Sequence, residues 1–97
     1  MCKSYLKKSK LRKFLIYMGI PVPALKDCVY RFYRGSEWLR FTGLDDIYYE
    51  IYFSQFMAIE KNRFDEILDK YVLIDRRVYN PQEVTKLILE YKLEGDL

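Results

Sequence analysis

The chain has 97 residues, of which 51% are hydrophobic and 18% aromatic, with no histidine, two cysteines (Cys2 and Cys28) and a net charge of +3. That is material for one small domain with a core. It excludes a disordered chain, a disulfide framework, a structural zinc site and any histidine-based catalysis. The charge is divided: residues 1–44 hold ten basic against two acidic side chains, a balance of +8, and residues 45–97 carry −5.

Residues 1–24 imitate a secretory signal, with a basic start, an apolar stretch over 14–20 and a cleavage-like site at 22–24. Gly19, Pro21 and Pro23 break that stretch, and it is far too short to span a bilayer. The expectation is a cytoplasmic protein with reduced thiols and no membrane partner. Leu11, Phe14, Leu15 and Met18 recur at i, i+3, i+4, i+7, the apolar face of a helix that stops at Gly19. Lys10, Arg12 and Lys13 fall off that face. Lys7 would not, so residues 1–8 are read as a basic arm on a single domain over 1–97.

Residues 29–34 and 37–42 read as a hairpin around a Gly35-Ser36 turn. That register sets Arg31 opposite Arg40 and Tyr33 opposite Trp38. Tyr30, Phe32, Leu39 and Phe41 form its core face, and Arg31, Tyr33, Trp38 and Arg40 the other. A third strand is predicted over 47–53, which is rich in β-branched and aromatic residues. A helical reading competes for residues 24–53, because Leu25, Cys28, Val29 and Phe32 also fit a helix face; it would make the protein an all-α bundle.

Asn62 as N-cap, with Phe64, Ile67, Leu68 and Tyr71 at helical spacing, predicts a helix over 62–71, followed by an extended piece over 72–79. Asn80-Pro81-Gln82-Glu83 is a capping box with proline at the first helical position. The helix it opens carries Val84, Leu87, Ile88 and Tyr91 on one face. Leu89 and Leu93, on the other side, offer a contact for a second copy. The expected architecture is α+β: an N-terminal helix, a three-stranded antiparallel meander and two C-terminal helices.

No P-loop or glycine-rich phosphate cradle is present. The acidic clusters Asp45-Asp46 with Glu50 and Asp65-Glu66 with Asp69 are read as charges at helix starts and on solvated helix faces rather than metal ligands. Cys28 has no base to activate it. The expectation is therefore a small basic protein that is not an enzyme and needs no metal or cofactor.

Its function is predicted to be binding. Lys7, Lys8, Lys10, Arg12, Lys13, Arg31 and Arg40 would neutralise phosphate while Tyr33 and Trp38 stack bases, making the partner nucleic acid, a nucleoprotein or another anionic surface. Arg31 opposed to Arg40 would cost stability unless an anion relieved it, or unless both stacked on Tyr33 and Trp38. The alternative is a protein–protein interaction. A compact, aromatic-rich domain of this size suits a phage or viral accessory protein that acts as inhibitor or adaptor on a host protein or nuclease complex, with exposed Tyr, Trp and Arg as hot spots.

Overall fold

A computed structural model describes residues 8–33, 35–54 and 56–90. Helix α1 spans Lys8–Tyr17 and buries Leu11, Phe14 and Leu15, the stripe expected from their spacing. It ends in a Schellman motif: Gly19 takes φ +84, its N–H bonds to the Ile16 carbonyl at 2.9 Å, and Ile20 N–H reaches the Leu15 carbonyl at 3.0 Å. The chain then runs back along the helix through Val22 and a short 3₁₀ turn at Leu25–Asp27.

Five strands follow: β1 (Val29–Tyr33), β2 (Ser36–Thr42), β3 (Tyr48–Phe53), β4 (Met57–Asp65) and β5 (Lys70–Tyr79). Each pairs antiparallel with the next, so spatial order equals chain order. Helix α2 (Pro81–Glu90) closes the described chain, and Asn80 caps it as expected: Asn80 Oδ1 accepts from Glu83 N–H at 2.8 Å, and Asn80 Nδ2 donates to Glu83 Oε1 at 2.9 Å.

The protein is α+β, but neither a three-stranded meander with two C-terminal helices nor an all-α bundle. Among the described residues its sheet has five strands, with one helix at each end. The error lies at 62–71. Asp65 Oδ1 accepts from the N–H groups of Ile67 and Leu68 at 2.9 and 3.0 Å, the same local bonds that a helix N-cap makes. Here they close a hairpin tip, with Asp69 at φ +51, and β4 stays paired with β5 from Met57–Tyr79 to Asp65–Lys70. Phe64 and Tyr71, spaced for a helix stripe, become direct cross-strand partners with rings 5.4 Å apart.

The β1–β2 register also differs from expectation. Tyr33 pairs with Ser36, so the turn lies one residue earlier than Gly35-Ser36, and Gly35 takes its second position at φ +83. Opposite residues thereby shift by two. Arg31 faces Trp38 and Arg40 faces Val29, so the two arginines are not opposed. A shift of two preserves both faces.

Both helices pack on the face bearing Leu39, Phe41, Tyr49, Ile51, Phe53, Met57 and Ile59, and Leu11, Phe14, Leu15 and Val84 join these side chains in one cluster. Glu37, 1% exposed, lies at the edge of this apolar layer, directly across from Phe32 and Phe53.

The open sheet face

Alternation along the strands sends Arg31, Tyr33, Trp38, Arg40, Tyr48, Glu50, Tyr52, Ala58, Glu60 and Arg76 to the face opposite the helices. Two rows cross it. One reads Arg31, Trp38, Tyr52, Ala58, Val78 from β1 to β5, and the other Val29, Arg40, Glu50, Glu60, Arg76. The first is aromatic at its centre and the second alternates charge in blocks.

The rows interlock. The Arg40 guanidinium lies 3.4 Å from the Trp38 ring centroid, and the Tyr52 ring follows at 5.9 Å from Trp38. Tyr52 Oη donates to Glu50 Oε2 at 2.5 Å, and Arg76 Nε pairs with Glu60 Oε2 at 3.1 Å. Burial raises the Tyr52 phenol pKa, and its bond to the Glu50 carboxylate raises it further. The Trp38 indole N–H pulls it partly back, although that buried N–H, like Arg40 Nε, stops short of a formed hydrogen bond. Burial first, then the Glu50 charge, also raises the Tyr48 phenol. These phenols stay neutral at physiological pH.

Towards the β1–β2 turn lies a concavity of about 990 Å³, lined by Arg31, Tyr33, Trp38, Tyr52 and Arg76 of this face and reaching round the sheet end to Phe32, Glu37 and Phe53 of the other. Tyr33 is 69% exposed at its rim. The sequence reasoning missed Tyr52, Phe56, Glu60 and Arg76. The period-two pattern of the third predicted strand could have revealed Tyr52, whereas the mistaken helix over 62–71 left β5 without a partner strand and so hid Arg76.

Arg31, Tyr33, Trp38 and Arg40 therefore share one face, as the hairpin reading required. The helix cations do not join them. Lys8 Nζ donates to the Cys28 carbonyl at 2.6 Å and Arg12 Nε to the Pro23 carbonyl at 2.7 Å, which ties α1 to the returning segment. Lys10 is half-buried on the same helix and Lys13 is exposed. All four lie on the far side of the sheet from Trp38, while Lys7 lies outside the described residues. Leu89 is exposed on α2, and Leu93 lies outside the described residues.

The acidic pairs build turns rather than starting helices. Asp45 Oδ1 accepts from Ile47 N–H at 3.1 Å, and its Oδ2 accepts from Tyr49 Oη at 2.7 Å. Among the described residues no three acidic or thiol side chains gather as a cation site. Burial pushes the Cys28 thiol pKa up, against the opposing pull of Lys8 and Arg12. Among the same residues no helix is long and apolar enough to cross a membrane. Compared with protein-family models, curated proteins and solved structures, the chain matches none.

Proposed function

We propose that this is a non-catalytic binding protein whose working surface is the open sheet face, and that its partner is another protein. The observation that carries the reading is the composition of that face. Exposed Arg31 and Tyr33 line a concavity together with Trp38 and Tyr52, and Arg, Tyr and Trp are the residues that dominate protein–protein hot spots. Glu50 and Glu60 occupy the middle of the face, next to Arg40 and Arg76. A phosphate backbone laid across it would meet two carboxylates. The Trp38 ring is moreover covered by its own Arg40, which removes it as a platform for a base.

The absence of histidine from these 97 residues and the upward-shifted phenols support action by occupancy rather than by chemistry. The protein would work inside the cell as an inhibitor or adaptor that covers a site on its target. The test uses the double variant Arg31→Glu/Tyr33→Ala, both positions being exposed strand residues. Wild-type protein should retain a defined partner from extracts of its source cells at moderate salt, and the variant should bind at least about 30-fold more weakly, the effect of losing one hot spot. Equal retention by the variant would refute the site. Oligonucleotide binding that falls steeply with salt and is lost on Arg31→Glu would replace the protein partner with nucleic acid.

A further inference from the structure

Strand β5 ends the sheet: among the described residues no strand lies beyond it. It is ten residues long, and Tyr71, Leu73, Ile74 and Val78 are each about half exposed along it. The opposite edge, β1, has only five residues. A long apolar edge with unpaired backbone groups is a template for another strand, which natural proteins block or use. Proline is absent from β5; Lys70 opens it beside the hairpin tip, and its other charges, Asp75, Arg76 and Arg77, sit together further along.

Those last three charges are arranged symmetrically. We infer that β5 pairs antiparallel with β5 of a second copy of this chain, about a two-fold axis at Arg76. In that register Asp75 lies opposite Arg77 of the second copy, and Arg77 opposite its Asp75, giving two opposite-charge cross-strand pairs. Asp75 and Arg77 share one face of the sheet, being paired with Lys61 and Ile59 two residues apart on β4, so the crossing pairs meet on the same side. Ile74, which the register shift between Lys61 and Asn62 leaves without a partner on β4, lies opposite Val78 of the second copy.

The two copies of Arg76 face each other, but each is already held by its own Glu60 at 3.1 Å, so the four charges sum to zero. The contact is isologous and closes at two chains, which fits an edge that would otherwise recruit further strands. It joins two sheets into one and sets the two concavities on one continuous face, with Arg76 at the wall of each.

Sedimentation velocity over a concentration series tests this. Wild-type protein should be a dimer that dissociates on dilution. Arg77→Asp places two aspartates opposite two aspartates and should weaken the dimer at least tenfold, as should Asp75→Arg. The double reversal Asp75→Arg/Arg77→Asp restores both crossing pairs and should recover dimerisation. Arg77 also packs 4.6 Å from the Tyr79 ring, a contact that the double variant loses too, so recovery cannot come from it. A wild-type chain that stays monomeric up to about 1 mM overturns the proposal. So does a dimer indifferent to Arg77→Asp, or a double variant as weak as the single ones.

Discussion

Replacing Gly43 by alanine probes the joint that holds the sheet to the segment returning from α1. A methyl group built there would lie 2.5 Å from Asp45 Oδ1, 2.8 Å from Tyr49 Cε1 and 3.1 Å from the Pro21 carbonyl oxygen. None of the three yields freely. Asp45 is fixed by Ile47 N–H and by the Tyr49 hydroxyl. Tyr49 is 2% exposed and stacks on Phe41 at 5.2 Å, and the Pro21 carbonyl accepts from Leu44 N–H at 3.0 Å. Overpacking of this kind costs about 1–3 kcal/mol. Loss of one Asp45 hydrogen bond adds about 1 kcal/mol. The sum, about 2–4 kcal/mol, corresponds to a fall in Tm of roughly 10–30 °C for a domain of this size. Urea and thermal unfolding of Gly43→Ala measure it. In an Asp45→Ala background the nearest clash is gone, so the same substitution should cost about 1 kcal/mol less, a non-additivity expected of touching residues. A Gly43→Ala protein within about 0.5 kcal/mol of wild type would refute the packing argument.

Asn80→Ala removes both arms of the capping box and should cost about 1 kcal/mol in urea unfolding, while Asn80→Asp, which keeps the acceptor for Glu83 N–H, should cost less. Burial, and then the bond to Asp45, raises the Tyr49 pKa above its ordinary value of 10.0. Unfolded Tyr49 ionises near that pH while native Tyr49 stays protonated, so the unfolded state binds fewer protons and stability falls as pH rises beyond 10. Urea midpoints should therefore hold steady below pH 10 and drop above it. Tyr49→Phe should shallow the drop by about one proton, roughly 1.4 kcal/mol per pH unit. An unchanged slope would show that Tyr49 is not the titrating group.

What the sequence revealed follows the range of the forces involved. Helix α1, its stop at Gly19 and the Asn80 cap are decided by bonds within a few residues, and the structure shows each of them. The first three strands are marked by alternation, which fixes which face a side chain takes. Alternation is blind to a register shift of two, so the Arg31–Arg40 opposition was an error while the face they share was not. The hairpin at 62–71 was misread because Asn62 and the spacing of Phe64, Ile67, Leu68 and Tyr71 fit a capped helix, whereas Asn62 Nδ2 donates to the Tyr48 carbonyl of β3 at 3.3 Å and Phe64 pairs with Tyr71. What decides between helix and hairpin is the pairing of β4 with β5, and periodicity within one window carries no information about a partner strand. The candidate site inherits this division. Its β1–β2 half was legible, and its β4–β5 half was not.

The charge asymmetry of the sequence also takes a different meaning once folded. Lys8 and Arg12 spend their charge on carbonyls of residues 28 and 23, so part of the N-terminal excess acts as mortar between α1 and the returning segment. On the open face the C-terminal half supplies the counter-charges: Glu50 stands directly between Arg40 and Glu60, and Glu60 between Glu50 and Arg76. Two carboxylates facing each other across β3 and β4 would cost stability on their own. The flanking arginines offset that cost, so the row is stable only as a whole and nearly neutral as a whole. A surface of that kind gains little from a uniformly charged partner and much from one that matches its alternation and fills the hollow beside Trp38. That is the ground for proposing a folded protein surface, rather than a polyanion, as the partner.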